Sequence, residues 1–202
     1  MKKLTNSLVP RQVTGSQMDA VEERKLNNII QAREFFAAAE KRLLAVNEWG
    51  KISGLADFKI FMPDGKQALR SVQKGDFIRI DIPGPGPLSG NGFDWVLVEE
   101  IKRALDGNFE MISMCVRPCS SPLNQDKEVA HFLKDQATST FIIRRDRITV
   151  RAEEHGRNEQ ANVNDGNLID RARNLLVGVS AKLGLSYPQW KLLVKGLLDG
   201  TP

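Results

Sequence analysis

Phe93-Asp94-Trp95-Val96-Leu97-Val98-Glu99-Glu100-Ile101-Lys102-Arg103, followed by Ala104-Leu105-Asp106-Gly107-Asn108 and then Phe109-Glu110-Met111-Ile112-Ser113-Met114-Cys115-Val116-Arg117, decides the fold class. Two strand-forming arms flank Asp106-Gly107. An Asp-Gly dipeptide between extended segments is a tight-turn signal, so the run predicts a long β-hairpin. The first arm has two apolar faces near its start, with Phe93, Trp95 and Leu97 on one and Val96 and Val98 on the other.

Strand signals continue upstream. Gly75-Asp76 opens a strand with Ile78, Ile80 and Ile82 inward and Phe77, Arg79 and Asp81 outward. Ile52, Ala56, Phe58, Ile60 and Met62 alternate up to the turn Met62-Pro63-Asp64-Gly65, and residues 66–72 return more weakly. Downstream, residues 118–137 read as a loop with a short helix from about Asp126 to Gln136, carrying Val129, Phe132 and Leu133. A second hairpin over 138–155 runs from Thr138 to Arg144, turns at Arg145-Asp146-Arg147 and returns from Ile148 to Glu154. Ile148, Val150 and Ala152 form its buried face. The stretch His155 to Asn167 is rich in Asn, Asp and Gly and reads as a loop.

Both ends carry helical periodicity. Residues 18–50 read as one long helix after a flexible lead over 1–17. Ile29, Phe36 and Leu43 recur every seventh residue, Ala32, Ala39 and Val46 follow each by three, and Gly50 is placed to cap the end. Residues 168–200 read as two helices. Leu168, Ala172, Leu175, Leu176, Val179 and Leu183 stripe the first, which Gly184 ends. Ser186-Tyr187-Pro188-Gln189 forms a capping box for the second, striped by Trp190, Leu193, Val194, Leu197 and Leu198 and ended by Gly200. The expected fold is α+β: one domain over 18–202 with a curved or barrel-like antiparallel sheet of about six to seven strands. A long N-terminal helix and a C-terminal helical hairpin flank it.

Charge and composition exclude several chemistries. Lys and Arg number 29 against 25 Asp and Glu, so the net charge is +4. Those charges are spread along the chain and form no basic block that would track phosphates. No apolar run is long enough for a membrane span, and no apolar stretch follows Lys2 and Lys3, so a cytoplasmic location is expected. Cys115-x3-Cys119, with His131 and His155 beyond, matches no compact zinc spacing, and neither metal nor cofactor is expected. Pro83-Gly84-Pro85-Gly86-Pro87-Leu88-Ser89-Gly90-Asn91-Gly92 is not a phosphate cradle, because Pro85 and Pro87 have no N–H to donate.

Three sets of residues remain as binding candidates. Phe93 and Trp95 either cap the core or form an aromatic patch at a loop rim that grips a partner. The Ile29, Phe36 and Leu43 stripe either lies on the domain or zips two subunits together. Arg144, Arg145, Arg147 and Arg151 form the best anion-binding group. Interleaved Asp146, Glu153, Glu154 and Glu159, and the lack of any aromatic from Ile142 through Ser186, weigh against nucleic acid there. Glu153 and His155 share a face of an extended chain and could form an acid/base pair, yet no nucleophile motif accompanies them and no catalytic residue is assigned. The sequence therefore predicts a non-enzymatic cytoplasmic binding or assembly module with a protein partner or a second copy of itself. One alternative is a small-molecule carrier that uses the sheet interior, provided Ile78, Ile80, Ile82, Leu97, Met111 and Met114 line a cavity rather than fill it. The other is nucleic-acid binding through the Arg144–Arg151 hairpin.

Overall fold

Period-two alternation is the dominant local signal, and it builds one sheet. The structure, a computed structural model, describes residues 8–54, 56–82, 87–123, 127–162 and 186–200. Its strands are β1 (Ser16–Lys25), β2 (Asp57–Phe61), β3 (Phe77–Asp81), β4 (Asp94–Asp106), β5 (Phe109–Pro118), β6 (Thr138–Asp146) and β7 (Thr149–Glu159). Three α-helices occur among the described residues: α1 (Ile29–Leu44), α2 (Trp49–Ser53) and α3 (Ser186–Leu197). All seven strands pair antiparallel in the order β1-β7-β6-β5-β4-β3-β2. The order ends at β1 and β2, so the sheet is open and not a closed barrel.

One face of the sheet carries the core. Phe58, Ile60, Ile78, Ile80, Val96, Val98, Ile112, Met114, Phe141, Ile143, Val150 and Ala152 all point to it. The helices cover that face: α1 packs on β6 and β7, and α3 on β1, β7 and α2. Gly196 lets α3 approach α2, since a Cβ there would collide with Ile52. Ile78, Ile80 and Met114 face inward as the alternation predicts, with Ile82 packed beside them. Leu97 and Met111 do not: Leu97 alternates with Val96 and Val98, and Met111 sits next to inward Ile112. A smaller apolar cluster of Phe61, Trp95 and Ala130 lies on the opposite face, with Phe77, Phe93 and Cys119 against it.

Several expectations need correction. The helix expected over 18–50 is a strand, a helix and a short helix instead. Met18 to Lys25 belongs to β1, whose backbone groups pair with β7 from Ser16↔Glu159 to Lys25↔Thr149. Helix α1 begins only after Asn28, whose side-chain carbonyl accepts the Gln31 N–H at 3.0 Å as an N-cap. Helix α2 ends at Gly54, which takes a φ of 70°, not at Gly50. Residues 66–72 form no full strand; Gln67 makes a single bridge to Phe61. Described residues 127–136 form no helix, because their polar backbone groups are spent elsewhere. Ala130 bonds Trp95 and Cys119 through its carbonyl and N–H, and the Phe132 N–H donates to the Asp94 carboxylate at 2.9 Å. Strand β7 continues to Glu159, through residues expected to be loop. Residues 11–14 are tied to Asn158 by hydrogen bonds rather than free. The first expected C-terminal helix, over Leu168 to Leu183, lies outside the described residues.

The Trp95 indole is fully buried, stands edge-on to Phe61 at 5.1 Å and donates its N–H to the Gly90 carbonyl at 3.2 Å. Trp95→Ala is therefore expected to lower the free energy of unfolding by about 3–5 kcal/mol in urea titrations. A loss below about 1 kcal/mol would mean that the ring does not support the fold.

Candidate functional site

The outward face of β7 and the neighbouring strands is a closed charge network. His155 lies between two carboxylates, with Nδ1 2.5 Å from Asp19 and Nε2 2.9 Å from Glu153. Arg157 reaches Asp19 at 2.8 Å and Arg144 lies 2.5 Å from Glu153. Burial opposes charge on the imidazole, but the bonds to Glu153 and Asp19 outweigh it and raise the His155 pKa. Both ring nitrogens thus face carboxylates, an arrangement that favours the protonated ring. Glu153 and His155 do meet, as their spacing predicts.

The four arginines of the hairpin are divided between the two faces. Arg144 and Arg151 stand directly opposite each other on the outer face. Arg151 binds Glu23 at 2.7 Å. Arg145 points inward, is fully buried and holds Glu110 at 2.5 Å. It also donates to the carbonyls of Asn108 and Arg147, which ties the β4–β5 turn to the β6–β7 turn. Arg147 sits in the turn with a φ of 54°. Three of the four side chains are therefore held by carboxylates, and Arg145 points away from the other two. Phe36 and Leu43 are core residues, and Ile29 is half-buried. Phe93 lies under the Arg79 guanidinium, 4.1 Å from its ring centre. Cys115 and Cys119 are free thiols, and burial pushes Cys119 up to about 12.

The inner face holds a group that remains unpaired. Glu154 has the same parity as Val150 and Ala152, pairs across the strands with Phe141 and Ala20, and is fully buried. Neither of its carboxylate oxygens has a hydrogen-bond partner. Burial first and the nearby Glu159 carboxylate second push its pKa well above the usual range. Ser139, diagonal to it on β6, and the Arg157 charge pull the other way, although no hydrogen bond forms. The side chains around it are small on one side, with Ala20 on β1 and the Ser139–Gly156 pair one step along, and large on the other, where Phe141 faces it on β6. Burial also raises the pKa of Glu159, against the Ser16 hydroxyl and Arg157. Glu154 was legible in principle, because the inward alternation Ile148, Val150, Ala152 has 154 as its next member. Among the described residues no group of three or more His, Cys, Asp or Glu is arranged to hold a metal.

No family model matches the sequence, and no curated protein matches it. Among solved structures the chain is similar to a hypothetical protein of Helicobacter pylori, at 12% identity and a TM-score of 0.45, covering 88% of this chain and 86% of that one. It is also similar to a START superfamily protein of Mycobacterium smegmatis, at 8% identity and a TM-score of 0.40, covering 91% and 99%. Ara h 8.0201 matches at 8% identity and a TM-score of 0.40, covering 92% and 100%. Likenesses of this size establish no family and lend this chain no chemistry.

Two pH effects of opposite sign follow. The raised His155 pKa makes its contribution to stability complete below about pH 6.5, and that contribution is lost as pH rises through the folded-state value. The destabilisation caused by His155→Gln should therefore shrink as pH rises above that point in melting experiments. Glu154 works against folding wherever the unfolded chain ionises it. Glu154→Gln should raise the melting temperature near neutral pH by about 2–4 °C, corresponding to about 1 kcal/mol in a chain of this size. The gain should vanish by about pH 4, and a Glu154→Gln protein that melts lower at neutral pH would show that the carboxyl is paired.

Proposed function

We propose that this protein carries a small molecule with an apolar body, held against the inner face of the curved sheet. The observation that supports this function is Glu154. A carboxyl buried without a hydrogen bond costs free energy, and Ala20, Ser139 and Gly156 leave little side-chain bulk on one side of it. A ligand that gives that carboxyl a hydrogen-bond donor and covers the adjacent apolar surface removes the cost, which is the usual composition of a ligand pocket. The wall beside it is aromatic, with Phe141 touching Trp190 of α3 at 5.5 Å.

The carrier takes precedence over the expected protein-interaction module on surface grounds. Trp95, Phe36 and Leu43 are buried and have no area to offer a partner. The most exposed large apolar side chains, Leu69, Val13, Leu105 and Ile30, belong to four separate segments, as scattered surface residues do.

N-phenyl-1-naphthylamine, an apolar probe whose fluorescence rises on leaving water, tests the proposal. The full chain is expected to bind it saturably at about one probe per chain, and protein purified under native conditions should show a discrete adduct above 22.6 kDa by native mass spectrometry. Bare chain mass together with no saturable fluorescence overturns the carrier.

A further inference from the structure

Strand β7 brings a second acid to the same place by an unusual route. Five positions separate Glu154 from Glu159, so simple alternation would put them on opposite faces. The strand is bulged between them: three steps of β7, from Gly156 to Glu159, pair with two steps of β1, from Met18 to Ser16. Asn158 sits in that bulge with a φ of 58°. Its side-chain carbonyl accepts the N–H groups of Val13 and Thr14, its amide donates to the Arg11 carbonyl, and its own N–H donates to the Gln12 side chain. The effect is to turn Glu159 back over Gly156. A Cβ on Gly156 would collide with the Glu159 carboxylate, on the side where the Met18 Cβ stands at 3.7 Å. Gly156 has the parity of Glu154, so both carboxyls lie over the inner face.

This arrangement works against stability twice. A left-handed backbone at a residue other than glycine costs free energy, although Asn bears it better than most. It also brings a second carboxyl near one that is already buried and unpaired. Strain that gathers like charges in an interior is a feature of binding sites rather than of passive cores. A single positive charge between the two acids would turn their repulsion into attraction and supply charge-assisted hydrogen bonds to the Glu154 oxygens, which have none. Calcium is a poor fit, since it needs six to eight oxygens, and the described residues gather no such set here. An ammonium group needs only three acceptors. Phe141, opposite Glu154 on β6, offers an apolar ring for the rest of such a molecule.

We infer that Glu154 and Glu159 together bind the ammonium group of an apolar amine inside the sheet. This inference rests on the carrier function and names its ligand class.

The test compares three chain-matched ligands, octylamine, 1-octanol and octanoate, as displacers of N-phenyl-1-naphthylamine from the full chain at about pH 7.5, where the amine is cationic and the acid anionic. Octylamine is expected to displace the probe at a concentration about tenfold or more below that of octanol, with octanoate the weakest. Glu154→Gln and Glu159→Gln should each bring the octylamine-to-octanol ratio most of the way towards one. Gly156→Ala is the second kind of variant: it keeps both acids but forces the Glu159 carboxylate aside, and it too should cost the amine its preference. Octanol displacing as well as octylamine, or an amine preference that survives all three substitutions, overturns the inference and leaves the carrier standing. Probe binding that none of the three ligands reverses also overturns it. A probe that does not bind at all removes the carrier, and the amine site with it.

Discussion

Four aromatic rings in contact hold the inner face together. Phe58 of β2 stands edge-on to Trp49 of α2 at 5.5 Å, Trp49 meets Phe141 of β6 at 4.9 Å, and Phe141 meets Trp190 of α3 at 5.5 Å. These are favourable separations for aromatic pairs. The strand order puts four inter-strand spacings between β2 and β6, about 19 Å in a flat sheet. Two rings that far apart cannot both touch one indole unless the sheet bends around it. Trp49 is fixed in turn by its N–H, which donates to the Arg42 carbonyl of α1 at 3.2 Å. The curvature, the seating of α2 and the docking of α1 and α3 are therefore one constraint.

A bent but open sheet leaves two edges, and the chain treats them differently. The edge of β2 is covered from nearby. Ala68 donates its N–H to the Ile60 carbonyl, and the Asn47 side chain accepts the Ile60 N–H. The edge of β1 is protected by composition instead, since Asp19, Glu22, Glu23, Arg24 and Lys25 give it alternating charge unsuited to pairing with another strand. Arg24 also reaches from this strand to the carbonyls of Leu198 and Gly200, closing the end of α3 against β1.

That edge chemistry explains why β1 was hidden in the sequence. Glu, Arg and Lys are good helix formers, and Met18 to Lys25 adjoins a helix with a clear seven-residue stripe, so local preference favours extending the helix backward. What overrides it is nine residues' worth of register against β7, a long-range pairing that no window of sequence contains. The Asn28 cap was the one local mark of the true boundary. The central hairpin was legible because its signal is local: Asp106-Gly107 supplies the turn and the flanking alternation supplies the register. The segment after Cys119 failed for the opposite reason. Val129, Phe132 and Leu133 have helical spacing, but their neighbours' N–H and carbonyl groups are consumed by Trp95, Cys119 and Asp94, partners far along the chain.

The candidate site was half legible, and the illegible half is the informative one. Alternation alone places Glu154 inward. Nothing in the spacing reveals that Glu159 joins it, because that depends on a bulge held by residues 11–14. Strand β7 itself provides the contrast that argues for a purpose. On its outer face Glu153 has Arg144 and His155, and Asp19 has Arg157 and His155, so each acid is matched by cations. On its inner face, within the same few residues, Glu154 feels the Arg157 charge but makes no hydrogen bond, and Glu159 is folded back toward it. A chain that places compensating charge so fully on one side of a strand is capable of placing it on the other. Proteins retain costly local arrangements chiefly where function requires them. The inner face of β7 is accordingly where the proposed ligand would supply the charge that Arg157 alone provides there.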